Sequence, residues 1–131
     1  ARELADLLRA VGSTVLQEFS WKVASYLNDV EPEVRAAAAS SLTTLAAPSS
    51  LDAILERMTV EQSPTVLVQL AAAARALKSQ RAIDPLIEML KSPDSRVQQS
   101  ALITLRALTR QSFGVDPEGW TGWWEQARPG R

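Results

Sequence analysis

The chain has 131 residues, a net charge of −1, 46% hydrophobic but only 5% aromatic residues, and neither cysteine nor histidine. That length is about one domain's worth, and the missing Cys and His exclude disulfides, His- or Cys-ligated zinc, the Ser-His-Asp triad and imidazole acid–base chemistry. A balanced charge disfavours a sequence-independent grip on nucleic acid phosphates, and no apolar run approaches the roughly 18 to 20 residues of a membrane span.

The apolar content comes from Ala, Leu, Val and Ile, and Ala and Leu are strong helix formers, so the expected elements are helices. The opening ARELADLLRAV has no basic segment followed by an apolar one and does not read as a signal peptide. It predicts a lone helix over about 2–11, with Leu4, Leu7, Leu8 and Val11 on one side. Helix pairs are expected at about 14–29 and 32–46, at 50–60 and 64–78, and at 83–91 and 94–110, with a last helix over about 117–127. Ser63-Pro64, Asp84-Pro85, Ser92-Pro93 and Asp116-Pro117 each put a side-chain acceptor before a proline, the pattern of an N-cap followed by the first helical position. Ser13 and Ser50 are assigned the same capping role at the remaining two first-of-pair helices. No strand signal and no low-complexity linker interrupts this series.

The second helix of each pair repeats without gaps: PEVRAAAASSLTTL from Pro32, PTVLVQLAAAARAL from Pro64 and SRVQQSALITLRAL from Ser95. Val34, Val66 and Val97 head equivalent columns, followed by Ala38/Leu70/Ala101, Leu42/Ala74/Leu105 and Leu45/Leu77/Leu108. These steps of four, four and three residues trace one helix face, and the copies recur every 31 or 32 residues. In the first helices Leu51, Ile54, Leu55 and Met58 align with Ile83, Leu86, Ile87 and Leu90, and Phe19, Val23 and Tyr26 match more loosely.

EPEVRAAAASSL and RAIDPLIEMLKSPDSRVQQSALITL resemble HEAT repeats, in particular the short bacterial kind also found in phycobilisome lyases, over about residues 14–110. The resemblance implies an all-α, right-handed α-α superhelix of three helix pairs, a single solenoid domain over 1–131. Residues 1–12 would be a partial N-terminal repeat, which would make the chain the C-terminal part of a longer array; alternatively that helix is itself an N-terminal cap. Members of the family carry Arg after the Val that opens the second helix. Arg35 fits and Leu67 and Gln98 do not, so a continuous polar ladder between repeats is not expected.

Trp120, Trp123 and Trp124 are spaced i, i+3, i+4 and share one helix face. A repeat stack leaves an apolar end that a terminal element must cover, so residues 113–128 read as a capping helix joined by Phe113; the alternative is an aromatic surface for a ligand. Trp123→Ala is accordingly expected to destabilise by about 3–5 kcal/mol.

Asp84 with Glu88, and Asp52 with Glu56, are carboxylates one turn apart, but they occupy the same columns of adjacent repeats, which points to caps and solvated faces rather than acid–base work. GVDPEGWT has the glycine spacing of a phosphate-binding loop with Trp120 where Lys should stand, and Met58 and Met89 read as core fillers. What remains is a surface. The family resemblance puts the second helices on the concave face, where Arg35, Leu67, Arg75, Lys78, Gln98, Arg106 and Arg110, with Ala39, Ser40, Thr43, Ala71 and Leu102, are expected to lie. Several cations and no acid there would suit an acidic or extended peptide. The expected function is therefore a non-catalytic protein- or peptide-binding scaffold, with no cofactor, no metal and no membrane partner. A bilin-handling role like that of the phycobilisome lyases and nucleic-acid binding like that of helical-repeat DNA glycosylases are the alternatives, the latter disfavoured by the charge.

Overall fold

The computed structural model describes residues 2–130, and only the backbone at positions 2, 9, 12 and 13. Its α-helices are α1 (Arg2–Ser25), α2 (Pro32–Leu45), α3 (Leu51–Val60), α4 (Pro64–Leu77), α5 (Ile83–Met89), α6 (Ser95–Thr109) and α7 (Pro117–Ala127), and no strand occurs among the described residues. Short connections, three of them carrying a turn of 3-10 helix, fold these into hairpins α1/α2, α3/α4 and α5/α6 followed by α7. None of the described helices is long and apolar enough to cross a membrane.

The second helices do most of the stacking: α2 packs along α4 and α4 along α6, whereas α3 and α5 touch sparsely. Alanine is the reason. Ala38, Ala39, Ala71, Ala73, Ala74 and Ala101 are all buried, and such small side chains let helix axes approach to the short end of the usual 8–10 Å. Helices that lie closer together form the inside of a curved stack, so α2, α4 and α6 line its inner side.

The repeat columns form the core. Val66, Val97, Leu42, Leu70, Ala74, Ala101 and Leu105 are fully buried, as are Ile54 and Leu86 beneath them, and each buried Leu, Ile or Val side chain stabilises by about 1.5–3 kcal/mol. Met58 and Met89 are buried among them. The same columns fail at the N-terminal end. Val34 is 36% exposed and Phe19 53%, so the looser match of Phe19 and Tyr26 to the core pattern does not correspond to burial.

The lone helix expected at 2–11 and the first-of-pair helix expected at 14–29 are one continuous helix, α1. Gly12 costs a helix only about 1 kcal/mol relative to Ala and no proline intervenes, so propagation wins over a break. Thr14 Oγ1 donates back to Ala10 O at 3.0 Å, and the backbone runs through position 13 with no helix start for Ser13 to cap; its side chain lies outside the described residues.

Helix starts follow proline more than side-chain capping. Pro64 and Pro117 open α4 and α7, yet neither Ser63 nor Asp116 accepts a capping hydrogen bond. Asp84-Pro85 falls inside the first turn of α5, Ser92-Pro93 in the turn before α6, and the working cap of α6 is Asp94, whose Oδ1 accepts from Arg96 N at 2.8 Å. Ser50 Oγ donates instead to Ala47 O at 2.7 Å.

The helix ends are more uniform: α2, α4 and α6 each stop at a non-glycine residue in the left-handed region, Ala46, Lys78 and Arg110, at φ +46°, +54° and +62°. Glycine is the usual occupant there, since a Cβ costs about 1–2 kcal/mol. Ala46→Gly is expected to stabilise the fold by about 0.5–1 kcal/mol, the strain relieved minus the extra freedom of the unfolded chain. Urea denaturation checks it, and a lower midpoint would count against a strained left-handed terminus.

At the C-terminal end α7 lies against α5, where the first helix of a further hairpin would sit. Trp120 and Trp124 are buried and Trp123 is half-buried. Trp120 Nε1 donates to Gly114 O at 2.8 Å, and Phe113 meets the Trp120 ring edge-on at 5.1 Å between centroids. Arg128 lies over Trp124 at 5.1 Å and pairs with both carboxylate oxygens of Asp84 on α5, at 2.8 and 2.9 Å.

Candidate functional site

The seven residues expected on the inner face divide into two groups. Arg35, Leu67 and Gln98 occupy the first turns of α2, α4 and α6 and face the preceding interhelical turn. Arg35 Nη1 donates to Asp29 O at 2.8 Å and Gln98 Nε2 to Ser92 O at 2.6 Å, in both cases six residues back. Leu67 can donate nothing, and it lines a groove of about 530 Å³ with Met58, Pro64, Pro85, Met89 and Val97.

Arg35 is further engaged by Glu61, whose carboxylate has no exposure at all. Glu61 accepts from Arg35 Nε and Nη2 at 2.8 and 2.9 Å, from Arg57 Nε at 2.9 Å, and from Gln62 and Ser63 N–H at 3.1 and 3.0 Å. Burial pushes this carboxyl up, but Arg35, the Ser63 N–H and Arg57 together outweigh that and hold it below the usual carboxylate range. The hydrogen bond from Arg35 to Glu61 correspondingly raises the guanidinium. The cluster ties the first hairpin to the second. No matching bridge joins the second hairpin to the third, because Leu67 stands where Arg35 would recur and Gln98 bonds within its own hairpin.

Arg75, Lys78, Arg106 and Arg110 are different. All four are exposed, and none makes an ion pair or side-chain hydrogen bond among the described residues. They sit in the last turns and at the left-handed ends of α4 and α6, two helices that carry no acidic residue. Part of their role is local, since cations near a helix C-terminus offset the negative end of the macrodipole.

Ala39, Ala71 and Leu102 are buried between the helices and do not line this face. The correction is one residue, or 100° of rotation: Ser40, Ala72 and Ile103 occupy the next column, with Ser40 and Ile103 exposed and Ala72 partly so. Ala72 and Ile103 escaped the sequence reading, although each lies three residues before a cation, Arg75 and Arg106, and residues three apart share a helix face. The face therefore runs from small and neutral on α2 (Ser40, Thr43) to cationic with one exposed isoleucine on α6.

Three of the four paired carboxylates are occupied structurally. Asp52 pairs with Arg81 at 2.7 Å, Glu88 with Lys91 at 2.9 Å and Asp84 with Arg128, so each column carries surface ion pairs rather than two carboxyls converging on a cleft.

A family model for HEAT repeats matches residues 22–109, the span from the end of α1 through α6. No curated protein matches the chain. Hairpins stacked through an inner layer of second helices, repeated columns of buried Val and Leu, and a matched span that covers α2 to α6 lead to one assignment: the chain belongs to the HEAT-repeat family.

Proposed function

We propose that the chain is a non-catalytic scaffold module that holds an extended acidic segment of another protein on the inner face of α2, α4 and α6. The observation that carries this is the set of four exposed cations, Arg75, Lys78, Arg106 and Arg110, unpaired among the described residues and on helices without a single acid. Arg75 and Arg106 are equivalent positions of neighbouring repeats, so the roughly 8–10 Å spacing of packed helices separates them. A peptide in the polyproline II conformation has three residues per turn and rises about 3.1 Å per residue, so carboxylates three residues apart lie on one side, about 9 Å apart, and match that spacing. Guanidinium forks can take such carboxylates bidentately, and Ile103 and Ala72 offer apolar contact between them. The negative helix ends weaken the field over this face, which makes binding depend on direct hydrogen bonds more than on long-range attraction.

Arg75→Glu with Arg106→Glu is expected to keep the chain folded, at a cost of about 1–2 kcal/mol from placing acids at two helix C-termini, and to weaken binding of a synthetic peptide bearing Glu at every third position by about 100-fold or more. Fluorescence anisotropy of the labelled peptide measures it. Unchanged affinity of the folded double variant would remove the site from this face.

A further inference from the structure

From α2 to Arg128, every basic side chain outside the inner face has a carboxylate partner. Arg35 and Arg57 share Glu61, and Arg81, Lys91, Arg96 and Arg128 pair with Asp52, Glu88, Asp94 and Asp84. Arg75, Lys78, Arg106 and Arg110 have none among the described residues. These cations also come in pairs. Lys78 N–H donates to the Arg75 carbonyl at 3.1 Å and Arg110 N–H to the Arg106 carbonyl at 2.8 Å, so the two members of each pair lie one helical turn apart. Ala76 and Ala107, equivalent positions of neighbouring repeats, follow the two arginines and put no bulk beside them.

We infer, taking the inner face as the binding site proposed above, that its ligand is a doubly phosphorylated segment, with one phosphate at the Arg75/Lys78 pair and one at the Arg106/Arg110 pair. A carboxylate brings a single charge and two acceptor oxygens, so one Glu per helix occupies the arginine fork and leaves Lys78 and Arg110 facing water. A phosphomonoester brings a charge of about −1.5 to −2 at neutral pH and three acceptor oxygens. Two of those oxygens suit a guanidinium fork, and the third remains for the second cation of the pair. Two phosphates therefore match all four cations in charge as well as in number.

The spacing agrees. Phosphoserines three residues apart in a polyproline II segment lie about 9 Å from each other on one side, close to the roughly 8–10 Å between packed helices such as α4 and α6. α2 carries no cation at the equivalent position, Thr43, which limits the site to two helices and the segment to two phosphates. A nucleic acid is a poorer ligand, because each of its phosphates is a diester with one charge and the chain as a whole is at −1.

The absence of histidine makes the test clean, since no side chain of this chain has its ordinary titration between about pH 5.5 and 7.5 and a response there reports the ligand. Three labelled peptides, identical except for phosphoserine, Glu or Ser at two positions three residues apart, are compared by fluorescence anisotropy. At about pH 7.5 the phosphoserine peptide should bind at least about tenfold more tightly than the Glu peptide, and the Ser peptide should bind more weakly than either. By about pH 5.5 the phosphoserine peptide should lose about tenfold as its phosphates pass through their second pKa near 6, and the Glu peptide less than about twofold. Lys78→Gln with Arg110→Gln, both exposed, should cost the phosphoserine peptide at least about tenfold more than it costs the Glu peptide. Equal affinity of the Glu and phosphoserine peptides overturns the inference and leaves the acidic-segment site standing, whereas binding of neither overturns both. A double variant that weakens both peptides alike, or phosphopeptide affinity that does not change with pH, also overturns it. Tighter binding of a single-stranded oligonucleotide than of the phosphopeptide overturns it in favour of nucleic acid.

Discussion

Trp120→Ala is expected to destabilise the fold by about 3–5 kcal/mol, the loss typical of a large aromatic removed from a close-packed site. Trp120 has no exposed surface, its ring is met edge-on by Phe113 and Trp123, and its N–H is satisfied by the Gly114 carbonyl. The substitution therefore opens a cavity, strands a carbonyl acceptor and uncovers the end of the stack together. For a chain of this length the loss corresponds to a melting temperature lower by on the order of 10–20 °C. Trp123→Ala, assigned that loss from the sequence alone, is expected to cost only about 1–2 kcal/mol, because its ring is half-buried and tilted against Phe113 at 6.3 Å. Thermal and urea denaturation of both variants separates the two, and equal losses, or an unshifted Trp120→Ala transition, would defeat the capping role of α7.

Glu61→Ala is the second large effect, about 2–3 kcal/mol. Breaking a fully buried ion pair costs roughly 3–5 kcal/mol, and here Arg35 and Arg57 keep 12% and 19% of their side chains in water, which screens the charges left behind. Removal of the carboxylate leaves two guanidiniums facing each other and two turn N–H groups, those of Gln62 and Ser63, without their acceptor. The same carboxylate sets an acid limb. Its folded-state value lies below the ordinary one, so the stability it contributes is present at neutral pH, begins to fall below about 4.3, and is lost as pH drops through the folded value. Glu61→Gln should flatten the stability–pH profile in that window. An unaltered acid limb in Glu61→Gln would show that other carboxylates dominate it.

Much of this architecture is legible in the chain because a helix repeats every 3.6 residues and a stack repeats every hairpin. Columns such as Val66/Val97 and Leu42/Ala74/Leu105 satisfy both periods at once, and the structure buries all of them. The indole triplet is legible for the same reason: its i, i+3, i+4 spacing sets one helix face, and the structure buries Trp120 and Trp124 of that face. The candidate face is half legible. Its cations show in the composition of α4 and α6, but the column beside them was misplaced by one residue, since Ala71 and Ala72 are chemically identical and only the approach of α6 decides which is buried.

By itself the sequence determined the helical class, the three hairpins, their order and the shared apolar face of the tryptophan helix, because these follow from local period and from the need to bury a repeated apolar face. It also determined that neither imidazole nor thiol chemistry takes place on this chain. The tertiary structure decided the rest. It made α1 one continuous helix, turned Arg35 from a free cation into one arm of the Glu61 cluster, and made Trp120 rather than Trp123 the buried anchor. Arg35 depends on a carboxylate that the neighbouring hairpin supplies at Glu61, and a partner that distant in the chain leaves no mark on local periodicity, whereas Trp120 depends on the turn before α7, whose Gly114 carbonyl accepts its N–H.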